Sequence, residues 1–359
     1  MTVVGARPQF VKAAVVGRAI RARCREILVH TGQHYDDNMS ERFFRDLKIA
    51  PPDHQMHVRH ASRGEQLGEM IAGLTILLRE NRPDLLLVYG DTTSTVAGAL
   101  AAASSDIPLA HVEAGLRCFN RSVPEEQNRI VTDHLATLLF CPHDAAAEQL
   151  NVEGVRQGVH VVGDVMLDAL QLAVGRIDDP SEVLQRFGLS AGSYLLTTIH
   201  RAENTDDPER LRRILAALAV SREPVLFPVH PRTRKVLSTL SDLPAASLVR
   251  LCDPLGYFEM VALERSARMI LTDSGGVQKE AYWLKVPCVT LRQETEWVET
   301  VDVGWNILVG AETDRIVDAI RCFAPAVEHP TLYGDGHAAE RIAGALQSLD
   351  ARPRNGDLE

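Results

Sequence analysis

At 359 residues the chain has room for two domains of ordinary size. Its 45% apolar and 24% charged content is that of a soluble globular protein; no apolar run is long enough to span a membrane, and a net charge of −10 argues against general nucleic-acid binding. The six cysteines are scattered without a CxxC pair, which argues against a metal cluster or a disulfide framework, and most of them read as small buried residues.

In chain order, apolar stretches at residues 2–4, 26–30, 85–89, 109–112, 138–141 and 159–162 read as strands, with amphipathic helices between them, for example at 11–22 and 93–104. The rhythm pauses around 168–192. It resumes with strands at 194–199, 224–227, 269–272 and 288–291. Continuous rather than alternating apolar strands, separated by helices, indicate parallel sheets covered on both faces. The expected fold is therefore α/β, with two doubly wound Rossmann-like domains facing a cleft. Their expected extents are residues 1–170 and 171–335, with a last helix at 336–350 returning to the first domain. The start of the chain reads as a strand rather than a signal peptide, so the cytoplasm is the expected compartment.

Polar residues collect where these strands end, at the edge where open parallel sheets bind ligands. The first turn, Gly5-Ala6-Arg7-Pro8-Gln9, is not GxGxxG, so no dinucleotide cofactor is signalled. Arg7 and Lys12 are instead candidates for phosphate or sugar oxygens, against the plainer reading of solvated charges. Asp91 follows the strand at 85–89; it reads either as a functional acid or as an ordinary helix N-cap. Glu113 ends the strand at 109–112, where a carboxylate needs a partner or solvent, and Arg117 is the nearest candidate partner. Glu125 opens a helix behind Pro124, which is also ordinary helix-start chemistry. Together Asp91, Glu113 and Glu125 set three carboxylates near one sheet edge, able to raise one another's pKa and supply both an acid and a base.

In the second half, His200 and His230 follow strands and face the turn Asp273-Ser274-Gly275-Gly276. Glycines and free N–H groups at a helix start suit an anion such as a pyrophosphate. The plainer reading is a turn capped by Ser274. Glu280, well inside that helix, can accept hydrogen bonds from two vicinal hydroxyls, as on a ribose. His54, His57 and His60, spaced at three, read as solvated loop or helix residues rather than a metal site.

Taken in order, Gly5 to Lys12, Gly90-Asp91-Thr92, Val112 to Arg117, Pro124 to Arg129, Gly163-Asp164, His200 to Asn204, Pro228-Val229-His230 and Asp273 to Glu280 resemble the non-hydrolysing UDP-N-acetylglucosamine 2-epimerases. The resemblance implies a glycosyltransferase-B fold and a homodimer. It implies interconversion of UDP-GlcNAc and UDP-ManNAc by elimination and re-addition of UDP through a 2-acetamidoglucal, without NAD or metal. By position it makes Asp91, Glu113, Glu125 and His200 catalytic. Arg7, Lys12, Arg117, Arg129, His230, Ser274, Gly275, Gly276 and Glu280 become substrate-binding, and Gln33 and His34 fall in the region where bacterial members bind an activating second UDP-GlcNAc.

Two departures stand out. Many bacterial members read Gly-Thr-Arg-Pro-Glu in the first turn, where this chain has Ala6 and Gln9. The segment 118–123 is also shorter. Both features resemble a subgroup acting on UDP-2,3-diacetamido-2,3-dideoxyglucuronic acid, for whose carboxylate Arg121 is a candidate partner. The same fold and nucleotide site would also suit a hydrolysing 2-epimerase, a glycosyltransferase or a non-catalytic nucleotide-sugar sensor.

Overall fold

The computed structural model describes residues 1–33, 44–45, 47–58, 62–240 and 248–350, the side chains of Arg7 and of residues 349–350 apart. Two compact units are present. The first is Met1–Gln171 with the residues from Tyr333 onward; the second is Leu172–Leu332.

The first unit carries β1 (Thr2–Val4), β2 (Leu28–His30), β3 (His54–Gln55), β4 (Leu86–Tyr89), β5 (Leu109–Val112), β6 (Leu138–Cys141) and β7 (Val159–Val161). They form one sheet in the order β3-β2-β1-β4-β5-β6-β7. The second unit carries β8 (Leu195–Thr198), β9 (Val225–Pro228), β10 (Val249–Cys252), β11 (Met269–Thr272), β12 (Cys288–Thr290) and β13 (Asn306–Leu308), in the order β10-β9-β8-β11-β12-β13. Neighbouring strands run parallel, with Tyr89 opposite Val112 and Thr272 opposite Thr198. Both units are Rossmann-like, as expected.

Continuous apolar strands arise because each sheet is covered twice. In the second unit Leu195 and Leu271 pack with Ile214, Leu218 and Ile316 on one face, while their neighbours Leu196 and Ile270 pack with Leu263 and Ala281 on the other. Each such leucine or isoleucine contributes roughly 1.5–3 kcal/mol on burial. In the first unit Val3, Leu86 and Val88 pack under Met70, Leu74 and Leu78 of the helix Arg63–Asn81 and under Ala97 and Ala101 of the helix Thr93–Ala103. Gly98 permits that contact: a Cβ there would sit 2.7 Å from Val88 Cγ1. The final helix, Ala338–Asp350, packs against Arg7–Arg21.

Strands β3, β10 and β13 were not expected. All three are sheet edges, and the first two are half-exposed or exposed, so neither presents the apolar run that betrays a central strand. His54 accordingly lies in strand β3, not in a loop or helix; His57 is in a loop, and His60 is outside the described residues. Of the cysteines, Cys141 and Cys288 are buried, Cys24, Cys118 and Cys252 are half-exposed and Cys322 is exposed.

Candidate active site

Each strand order reverses once, between β1 and β4 and between β8 and β11. At such a switch point the loops leaving the two neighbouring strands diverge and open a crevice. Several candidates follow the strands at these points: Lys12 after β1 and Asp91 after β4, His200 after β8 and Ser274 after β11.

In the first unit, Lys12 comes from the helix Arg7–Arg21 behind β1, Asp91 follows β4 and Glu113 follows β5. Lys12 is buried, which removes the solvated-charge reading, and its ammonium pairs with the Glu113 carboxylate. An ideal Cβ on Gly90 would lie 3.4 Å from both Lys12 Nζ and Glu113 Oε2, so the pair sits against the turn that carries Asp91. Asp91 is not the N-cap of the following helix. Thr92 is, accepting from Thr95 N at 3.3 Å. Asp91 instead receives Arg129 Nη2 at 2.6 Å, with its carboxylate still partly exposed.

Arg117 is not the partner of Glu113. It donates to Asp133 at 2.7 Å and to both oxygens of Glu153 at 2.7 Å. Asp91 and Glu113 thus each have a cationic partner, Arg129 and Lys12. Glu125 is exposed on the first helical turn. The buried acid of that turn is Glu126, which accepts from Cys118 N at 3.0 Å, Phe119 N at 2.9 Å and Arg129 Nη1 at 3.1 Å. Burial alone would raise its pKa; these hydrogen bonds hold it below the ordinary value. Its three-residue spacing from Arg129 is the one signal of this role in the sequence. Asn128 completes the group, donating to Asp91 O at 2.7 Å and accepting from Arg63 at 2.7 Å.

Gln33 Oε1 accepts from the backbone N of Ser94 at 2.9 Å and from its hydroxyl at 2.7 Å, at the start of the helix Thr93–Ala103. His34 lies outside the described residues, as does the side chain of Arg7.

In the second unit the organising residue is Asp273, fully buried at the end of β11. It accepts from His200 N at 3.1 Å, Arg201 N at 3.0 Å and Asn204 Nδ2 at 3.1 Å, and its Oδ1 lies 3.4 Å from His200 Nδ1. An acid ending a buried strand is the logic that singles out Asp91, and it applies equally to Asp273. Burial lowers the pKa of His200; Asp273 opposes this, while Arg201 and Arg232 push it further down, so the imidazole is neutral at pH 7. The His230 ring lies 5.7 Å from that of His200 and caps the helix Pro231–Leu237 through Nδ1, 3.2 Å from Arg232 N.

Ser274 stands at the N-cap of the helix Gly275–Trp283, but its side chain does not cap it. Gly275 is needed for packing, because a Cβ there would sit 2.9 Å from Trp297 Nε1. A Cβ on Gly276 would meet only Ser274 Oγ, at 3.9 Å. Near this turn Glu296 pairs with Arg292 at 2.9 Å; burial alone would raise its pKa, but Arg292 and then Arg201 hold it below the usual range. Glu280 is buried one helix away from Glu264, whose pKa is driven well above the ordinary carboxylate range by burial and by the Glu280 charge. Neither Glu264 nor Glu296 carries a spacing that distinguishes it in the sequence.

No helix among the described residues is long and apolar enough to cross a membrane. The chain matches a family model described as UDP-N-acetylglucosamine 2-epimerase over residues 18–347. It is 48% identical to a UDP-N-acetylglucosamine 2-epimerase homolog of Methanococcus maripaludis, over 97% of this chain and 99% of the relative. It is 45% identical to the UDP-2,3-diacetamido-2,3-dideoxy-D-glucuronate 2-epimerase of Pseudomonas aeruginosa, again over 97% and 99%. Among solved structures, the Methanocaldococcus jannaschii UDP-GlcNAc 2-epimerase in complex with UDP-GlcNAc and UDP matches with a TM-score of 0.90 at 37% identity, covering 97% of this chain and 99% of that one.

Proposed function

The chain belongs to the UDP-N-acetylglucosamine 2-epimerase family, and from that premise we propose that it interconverts UDP-GlcNAc and UDP-ManNAc. The hydrogen on carbon 2 of a 2-acetamido sugar has no ring carbonyl beside it, so direct removal and return of that proton is chemically unfavourable. Elimination avoids the problem. A base takes the carbon 2 proton, the carbon 1–oxygen bond breaks, and UDP departs with the electron pair, leaving a 2-acetamidoglucal. Re-addition of UDP at carbon 1, with a proton delivered to the other face of carbon 2, gives the epimer.

The observation that carries this reading is the pairing of Asp91 with Arg129 and of Glu113 with Lys12 at adjoining strand ends. Two carboxylates, each held by its own cation, suit a proton removal on one face and a delivery on the other. Glu125 remains a third candidate acid. In the second unit Ser274, Gly275, Gly276 and His230 are the proposed pyrophosphate contacts, Glu280 the ribose acceptor, and neutral His200 the N–H donor to the departing phosphate. Arg7 is assigned to the substrate, and Gln33 and His34 to an activating second nucleotide sugar. The enzyme is read as a cytoplasmic homodimer.

A second reading has a specific support. The Pseudomonas aeruginosa relative, at 45% identity, is named for a diacetamido uronic acid substrate. Arg121, in the exposed turn before Pro124, is the candidate partner for that extra carboxylate.

Proton NMR in deuterated water with UDP-GlcNAc, and with neither metal nor NAD added, tests the proposal. UDP-ManNAc bearing deuterium at carbon 2 is expected. Free UDP with free ManNAc would indicate the hydrolysing reaction. No turnover of UDP-GlcNAc, with turnover of the diacetamido uronic acid sugar, would establish the second reading.

A further inference from the structure

His111 lies in the middle of β5 and is fully buried, outside the set of residues assigned to substrate or chemistry. Its two ring nitrogens face two acceptors. Nδ1 is 2.7 Å from Asp133 Oδ1, and Nε2 is 2.7 Å from the carbonyl oxygen of Gly90. The ring therefore bridges the Asp133 carboxylate and the backbone oxygen of Gly90. Asp133 also accepts from Arg117 at 2.7 Å and from Gly115 N at 3.1 Å. Arg117 in turn is neutralised by Glu153. The neighbouring Cys141 thiol is pushed up to about 12 by burial first and by the Asp133 charge second, and stays neutral.

The partners of this pair decide its significance. Gly90 is the residue before Asp91, and Gly115 closes the turn that begins at Glu113. That turn is strained. Glu113 has φ +74°, in the left-handed region that a side chain disfavours, and persists only where the surroundings fix it. Glu113 N and Ala114 N both donate to Phe140 O, at 3.0 and 3.1 Å, and Asp133 secures Gly115. Gly115 itself, at φ +82°, admits no side chain: a Cβ would fall 2.3 Å from Ala146 O.

We infer that His111 and Asp133 form a positioning pair that fixes the turns bearing Asp91 and Glu113 relative to one another. The inference rests on the reading of those two acids as the acid/base groups. His111 does not touch substrate; it acts through the backbone of Gly90.

Kinetics test the positioning. His111→Gln and Asp133→Asn should each lower kcat by about 10²-fold, with KM and the Kd for UDP within about twofold of wild type. Wild-type kcat per folded molecule in either variant would refute it. Should Asp91→Asn and Glu113→Gln both retain turnover, the acid/base reading itself fails; should they lose it while the His111 variant does not, only the inference fails.

Discussion

Asp91 and Arg129 meet through one hydrogen bond of 2.6 Å, and the same guanidinium gives its other arm to buried Glu126 at 3.1 Å. Arg129 is thereby anchored from behind and presents a fixed positive charge to an acid that keeps a solvent-facing edge. The arrangement fixes the orientation of the Asp91 carboxylate while leaving one edge of it accessible.

Asp91→Asn preserves this shape and removes the charge. Turnover should fall by about 10²- to 10⁴-fold, the range expected for loss of a general acid or base. The Kd for UDP should stay within about twofold, since the proposed UDP contacts are carried by the other sheet. Steady-state kinetics paired with calorimetric UDP titration measures both, and near-normal turnover would remove Asp91 from the chemistry.

Glu280 gives a prediction of the opposite kind. If its carboxylate accepts from the ribose hydroxyls, Glu280→Ala should weaken UDP binding by roughly 1–3 kcal/mol. The same titration with 2′,3′-dideoxy-UDP identifies the contact: wild type should lose affinity for the analogue, and the variant should bind both ligands alike. Equal binding of both by the wild type would place the ribose elsewhere.

Asp91 and Glu280 differ in how much of their setting is legible in the sequence. Acids and glycines at the ends of continuous apolar strands are legible, because parallel sheets bury both faces and interrupt their pattern only at turns. Their partners are not. Lys12 and Glu113 are about a hundred positions apart, and Arg117 turns to Asp133 and Glu153 rather than to its near neighbour Glu113. Such pairings depend on how helices dock on the sheet, and no local period encodes that. Glu126 is hidden behind Glu125 because adjacent acids in a first helical turn look alike until one face is buried. The edge strands β3 and β10 escape for a related reason, since a half-exposed strand has no need of a continuous apolar run.

His200 sets a pH dependence. Its folded pKa lies below the ordinary 6.5, chiefly through burial, so ligand-free protein loses stability as pH falls below that value, when the unfolded chain takes up the proton more readily. A bound pyrophosphate brings negative charge and raises the pKa of the complex. UDP-GlcNAc, whose pyrophosphate is a diester that does not titrate here, should therefore bind more tightly as pH falls through the pKa of the complex, by at most about tenfold per pH unit for one proton. His200→Asn should flatten this slope. Calorimetry of both proteins across the window decides it; an equal slope in each would assign the proton to another group.

Gln9 offers a test of the scaffold under the site. Its amide oxygen accepts from Gly5 N at 2.8 Å and Ala6 N at 3.0 Å, while its nitrogen donates to Tyr89 O at 2.9 Å and to Thr95 Oγ1 at 3.1 Å. One buried side chain thus ties the turn after β1 to the end of β4, and the tie needs an acceptor and a donor together. Gln9→Glu conserves shape and acceptor but sets a carboxylate oxygen against the Tyr89 carbonyl. Thr95 offers no relief, because its hydroxyl already donates to that same carbonyl at 2.7 Å. The variant should lose about 1–3 kcal/mol at neutral pH, and should recover part of it in mild acid as the new carboxyl protonates and donates again. Urea unfolding at the two pH values, each referred to wild type under the same conditions, measures the effect. An unchanged midpoint at neutral pH would mean that the amide donors of Gln9 do not hold the two strand ends together.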